Sequence, residues 1–173
     1  ADHVINLVGI LHESGRQSFN AVQDFGARAV AEAARAAGAK MTQMSAIGAD
    51  AASESDYAMT KARGEAAVLA TLPDANIVRA SIVFGPEDGF FNRFANMARF
   101  SPVLPLIGGG TTRYQPVYVV DVAEALALTV DGKARPGTTY ELGGPEVLTF
   151  RECMEHMLKV IDRKRMPVSV PWA

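Results

Sequence analysis

The 173-residue chain has one cysteine, Cys153, so no disulfide can form within it, and a reducing compartment suits such a chain. The spacing of its helical neighbours predicts a packed thiol in the core. Histidine is nearly as scarce. His3, His12 and His156 stand far apart with no metal-ligand spacing, and no metal site is expected. No apolar run reaches the ~18 residues that a spanning helix needs, and the start is not signal-like, which argues against a membrane span and against secretion. Neither sign of charge dominates. With 17 Lys and Arg against 19 Asp and Glu the formal net charge is −2, and no basic run offers nucleic acid a footprint. Repeats and low-complexity tracts are missing as well. What is left is an ordinary globular composition, 49% hydrophobic and 21% charged, long enough for one good core.

Helix and strand patterns alternate along the chain, which predicts an α/β fold. Residues 4–8 form an apolar run ending at Gly9 and read as a strand buried on both faces, where backbone can approach a ligand closely. An alanine-rich helix is expected over 18–37, closed by Gly38. A strand over 40–45 ends in Ser45, a small polar loop follows over 49–56, and a helix over 57–72 stops at Pro73. A third strand spans 76–83. Beyond a turn over 85–89, residues 90–100 read as a helix rich in aromatics, and the stretch 101–112 is rich in Pro and Gly. Residues 115–120 read as a strand, with Asp121 as N-cap of a helix to about Val130. A strand over 139–142 and a capping box at Thr149 and Glu152, opening a helix to Ile161, complete the pattern.

Within that pattern, Tyr57-Ala58-Met59-Thr60-Lys61 places a phenol and an ammonium on one helix face. A free phenol titrates near pH 10, and a neighbouring cation favours its phenolate, bringing it towards the range of acid–base work. The order of strand, serine, Tyr-x3-Lys helix and strand resembles the short-chain dehydrogenase/reductase superfamily, in its extended, NAD-dependent epimerase/dehydratase branch. That resemblance covers nearly the whole chain. It implies the C-terminal portion of a Rossmann-type doubly wound parallel sheet plus a small α/β substrate-side lobe, with NAD or NADP as cofactor. It implies Ser45, Tyr57 and Lys61 as a catalytic trio: Tyr57 moves the proton, Lys61 tunes it and holds the nicotinamide ribose, and Ser45 binds the reacting oxygen. It places Leu7, Val8, Gly9, Ala80, Ser81 and Ile82 along the cofactor. Asn6 is expected to bridge backbone groups instead.

The second half is similar to the nucleotide-binding accessory subunit family of respiratory complex I and its bacterial relatives, through 104–110, 115–123 and 140–146, as is the stretch 45–50. Sugar-nucleotide epimerases carry an asparagine where this chain has Ile82, which cannot hydrogen-bond a sugar hydroxyl. A small-molecule substrate other than a nucleotide sugar is therefore expected, with Phe90, Phe91, Arg113 and Gln115 on the substrate side; if the two phenylalanines face the cleft, the ligand is lipid-like or quinone-like. No Gly-x-x-Gly-x-x-Gly turn, the element that cradles a pyrophosphate, occurs in the sequence. Residues 1–88 are therefore read as the C-terminal half of a dinucleotide-binding domain in a longer protein, and 89–173 as the substrate-side lobe interleaved with it. Two functions stay open: hydride transfer through a Ser-Tyr-Lys site, or a non-catalytic NADP(H)-binding subunit or assembly protein of complex I. A cytoplasmic protein is expected, or one peripheral to the inner side of a respiratory membrane.

Overall fold

The first strand, β1 (His3–Asn6), is shorter than the apolar run predicts. The reason is local: Asn6 Oδ1 accepts the N–H of Val8 at 3.2 Å, a side-chain turn that ends the strand and leaves Leu7 and Val8 exposed. The computed structural model, which describes residues 1–171, continues with a widened π-helical turn over Asn20–Phe25 leading into α1 (Gly26–Ala36), then β2 (Lys40–Ala46), α2 (Asp56–Thr71) and β3 (Asn76–Ala80). Further on come β4 (Val83–Phe84), α3 (Phe91–Phe100), β5 (Val103–Ile107), β6 (Arg113–Tyr114), β7 (Val117–Tyr118), α4 (Val119–Val130), β8 (Thr139–Leu142), β9 (Leu148–Thr149), α5 (Phe150–Val160) and β10 (Met166–Val170). These elements make two compact units. The first holds Ala1–Ala80 with Asp121–Leu142, the second Ser81–Val120 with the chain from Gly143 onward.

In the first unit β1, β2, β3 and β8 form a four-stranded sheet in that order, parallel throughout. Alternation along β2 sends successive side chains to opposite faces. Met41 packs with Ala27, Ala31 and Ala34 of α1 and Val68 of α2, while Thr42 donates to Thr129 of α4 at 2.7 Å. Helices therefore cover both faces, the doubly wound arrangement that the sequence predicts. Among the described residues β1 has a neighbour on one side only, and Ile5 stays 38% exposed where burial on both faces was expected. The predicted strand over 76–83 breaks in two at Ser81, where the chain leaves this sheet.

The second unit is built from three strand pairs, β4 with β7, β5 with β10 and the antiparallel β6 with β9, packed with α3 and α5. Asp88 caps α3, its Oδ1 accepting from the N–H of Phe90 at 2.9 Å and also from Phe91. The capping box of α5 forms as expected: Thr149 Oγ1 accepts from Glu152 N–H at 3.2 Å, and the Glu152 carboxylate accepts from Thr149 N–H at 2.7 Å. One stretch that the sequence leaves unassigned holds a strand, and one reading needs correction. The Pro- and Gly-rich stretch holds β5, whose alternation (Leu104 and Leu106 buried, Ile107 exposed) is hidden by Pro105, tolerated in a two-stranded pair. The helix placed from Asp121 starts at Val119, because β7 ends where its two-residue partner β4 ends. Asp121 lies in the first turn, where its charge still complements the helix dipole.

Candidate active site

The carboxyl ends of β1, β2 and β3 all lie at one end of a parallel sheet, the end at which doubly wound folds bind ligands. Ser45 sits near the end of β2, 5% exposed and opposite Arg79 of β3. Its hydroxyl is buried without a hydrogen-bond partner among the described residues. Buried hydroxyls are rarely left so. At the next position Ala46 pairs with Ala80, whose carbonyl accepts from Ile47 N–H at 3.0 Å.

Tyr57 and Lys61 come from the first two turns of α2. Tyr57 is half-buried and packs edge-to-face on Phe19, with centroids 5.9 Å apart. Burial pushes its phenol above the ordinary value. That differs from the expected lowering by Lys61: the shift comes from loss of water around the phenolate. Lys61 is 8% exposed and forms neither hydrogen bond nor salt bridge among the described residues. Burial depresses its pKa, and the Glu65 carboxylate one turn on offsets part of that. Gly9 lies directly over the ammonium. A Cβ built there would stand 3.0 Å from Lys61 Nζ, so a side chain at this position would crowd the amine. The structure thus brings Gly9 and Lys61 together, while Leu7 and Val8 extend from the same β1 exit loop into solvent.

Several residues that hold α2 in place went unnoticed in the sequence. Thr60 Oγ1 donates to Gln23 Oε1 at 3.0 Å, and Gln23 Nε2 donates to the Ile10 carbonyl at 2.8 Å, tying α2, the π-helical turn and the β1 exit loop together. A Cβ on Gly64 would fall 2.1 Å from the Gln23 carbonyl oxygen, so only glycine allows this approach. Arg79 grips Glu65 through Nη2 at 2.7 Å and Nε at 3.0 Å, and reaches Glu141 of β8 at 3.3 Å. That pairing holds the guanidinium pKa above its ordinary value. A lone arginine inside the apolar run 77–83 was the signal for it, since a charge there demands a partner. Asn6 serves structure, but its Nδ2 meets a side chain where a backbone group was expected, donating to Gln43 Oε1 at 2.8 Å.

The remaining predicted residues belong to the second unit. Ser81 Oγ accepts from Gln115 N–H at 3.3 Å, and the Gln115 amide donates to the Gly144 carbonyl at 2.6 Å. Ile82 gives its carbonyl to Val117 N–H at 2.9 Å. Phe90 is the hub of an aromatic cluster with Phe91, Phe94, Tyr114 and Phe150, all with centroids 5.1–6.0 Å from it. Arg113 is exposed on β6, and Cys153 is fully buried, as its spacing predicts.

Residues 11–170 match the family described as the RmlD substrate binding domain. The chain belongs to that family. A relative of this RmlD-type chain in Arabidopsis thaliana, the mitochondrial NADH dehydrogenase [ubiquinone] 1 alpha subcomplex subunit 9, is 42% identical over 99% of this chain and 44% of its own length. The ceramide reductase of Caulobacter vibrioides is 40% identical over 73% of the chain and 39% of its own length. The chain thus spans less than half of either relative. Among solved structures, the UDP-glucuronic acid 4-epimerase of Bacillus cereus in complex with UDP-glucuronic acid and NAD superposes with a TM-score of 0.85 at 19% identity, over 98% of this chain and 62% of that one. That likeness fixes the fold as Rossmann-type.

Proposed function

We propose that this chain supplies the catalytic half of an NAD(P)(H)-dependent reductase acting on an apolar carbonyl compound. The observation that carries the reading is a buried hydroxyl without a partner, Ser45 Oγ, beside a lysine side chain, Lys61, that is 8% exposed and makes no hydrogen bond among the described residues. Burying either without a partner costs stability, and a dinucleotide with its carbonyl substrate offers both partners. Lys61 would hold ribose hydroxyls, with Gly9 leaving them room. Leu7, Val8, Ala80, Ser81 and Ile82 would line the cofactor. When bound, the nicotinamide supplies the hydride that reaches the carbonyl carbon. Ser45 Oγ–H donates to the carbonyl oxygen as charge develops there. Tyr57 delivers the proton to that oxygen, so carbonyl, hydride and proton sum to an alcohol. Its raised pKa keeps the phenol protonated at neutral pH, the form that reduction consumes. The name of the Caulobacter relative supports both the direction and an apolar substrate, and Ile82 offers a sugar hydroxyl no hydrogen bond.

A second reading is favoured by one observation, that the Arabidopsis relative matched across the whole chain is a respiratory-complex subunit. Here the same residues hold NADP(H) without turnover, and the protein sits against a respiratory complex. Among the described residues no helix is long and apolar enough to cross a membrane, so such an association would be made through surfaces or segments other than a helix of these residues. The experiment that separates the readings follows NADH and NADPH oxidation by the full-length protein with long-chain ketones and quinones. Turnover that Tyr57→Phe abolishes, with cofactor affinity kept, and that Ser45→Ala lowers by roughly 10²–10³, supports the reductase. Undiminished turnover in Tyr57→Phe refutes the assigned mechanism. NADPH binding without turnover on any carbonyl supports the second reading.

A further inference from the structure

Inside the second unit, between α3 and α5, lies a cavity of about 470 Å³, within the ~300–1,000 Å³ span of small-molecule sites. Phe91 and Ala95 of α3 and Cys153 and Met157 of α5 form its walls. Four other polar side chains reach it, and two of them are already spent. Asp88 caps α3, and Asn92 Nδ2 donates to the Pro86 carbonyl at 3.0 Å. The other two, Glu146 and His156, are exposed, beside Val160 at 74% exposure, and mark the mouth. No lysine or arginine lines the cavity. An anionic ligand would therefore meet a carboxylate at the mouth and no lysine or arginine to answer its charge. An alkyl chain would find apolar walls, one of them the adaptable thioether of Met157.

We propose that this cavity binds the hydrocarbon chain of a neutral single-chain amphiphile, whose hydroxyl or amide head is held at the mouth by Glu146 and His156. A hydroxyl suits that pair, donating to the carboxylate while accepting from the imidazole. The site stands apart from the Ser45, Tyr57 and Lys61 reading, and it survives if that trio turns nothing over.

The test uses the full-length protein and the neutral fluorophore N-phenyl-1-naphthylamine, displaced by decan-1-ol or by decanoate. Saturable binding at one site is expected, with the alcohol at least about tenfold the better competitor, roughly 1.4 kcal/mol of discrimination. Ala95→Leu, which thickens the wall, should weaken probe and alcohol by about tenfold or more. Val160→Lys, at the exposed mouth and outside the core, should shrink or reverse the lead of the alcohol over decanoate. Tyr57→Phe should leave all of these affinities unchanged, which keeps this test separate from that of the reductase. Parental probe binding in a folded Ala95→Leu variant overturns the site, and so does equal competition by decanoate in the parent. Should Ala95→Leu fail to fold, Val160→Lys decides, because an unchanged preference there removes the assigned mouth.

Discussion

The two units bury different chemistry. All ten buried polar or charged side chains among the described residues belong to the first unit, from Asn6 and Gln23 to Asn76 and Thr129. The apolar part of its core is largely alanine, which lets backbone come close. The core of the second unit is Ala95, Ala98, Leu104, Leu106, Phe150, Cys153, Met154 and Met157 beneath a cluster of aromatic rings, and a largely apolar pocket opens beside it. Each buried polar group costs stability unless it is paired. The first unit pairs most of them in fixed networks, while Ser45 Oγ and Lys61 Nζ have no hydrogen-bond partner among the described residues. The contrast separates precision from capacity: one unit aims polar groups, and the other offers shapeable apolar volume.

The comparison breaks most readily at its ionic joint. Arg79→Met strands the Glu65 carboxylate, 6% exposed, between α2 and β3. Unfolding in denaturant should show a loss of about 3–5 kcal/mol, while the double variant Arg79→Met with Glu65→Leu recovers most of it. Equal losses in the single and double variants would mean that the pair packs and nothing more. In the second unit the matching test is Phe150→Ala, which removes a ring packed on Phe90 and Phe94. A loss near 3 kcal/mol is expected, at the low end for such truncations. A larger loss there than at Arg79 would reverse the ranking of the two cores.

Gly64→Ala tests whether close helix approach is a property of the first unit. The added methyl would meet the Gln23 carbonyl and push α2 off the π-helical turn, at about 1–3 kcal/mol. Because Gln23 also holds Thr60, cofactor affinity of the full-length protein should fall with stability. An isolated stability loss would show that the turn serves packing alone.

Legibility in the sequence follows the same division. Strand and helix order in the first unit is readable because parallel strands buried by helices appear as apolar runs between alanine-rich periods, and Tyr57, Lys61 and Ser45 carry an ordered motif. Strand ends were not readable, since an Asx turn at Asn6 and a side-chain bond at Ser81 are set by one hydrogen bond each. Nor was the direction of the Tyr57 shift, because spacing reports the nearby charge but not the water lost on burial. In the second unit α5 was legible through its capping box. β5 and β10 were not, since their pairing joins residues some sixty positions apart and each contains a proline. Gln115 was marked for substrate from its place in a motif; its amide is engaged by the Gly144 carbonyl, a tertiary contact that no local pattern encodes.

The smallest expected effect is the most telling about the first unit. Lys61→Met replaces the ammonium of a largely buried side chain, which makes no hydrogen bond among the described residues, with an apolar chain of similar length. If that charge is kept for a ligand and not for the fold, the variant should be more stable than the parent at neutral pH, by about 1 kcal/mol. The sign of its pH dependence follows from burial. The folded state holds the Lys61 proton less tightly than the unfolded chain does, so stability of the parent rises with pH as that proton is lost, up to the ordinary lysine value near 10.4. Tyr57 works in the opposite sense: its raised folded pKa contributes stability below the ordinary phenol value of about 10, which is lost as pH climbs through the raised one. Both backgrounds retain Tyr57, so the difference between them isolates the lysine. Thermal unfolding of Lys61→Met and parent, compared from neutral pH upward, should therefore show a gap that narrows with rising pH. A variant less stable than the parent, or a gap that widens, would make the Lys61 ammonium a stabilising element of the fold and remove it as a group held ready for a cofactor.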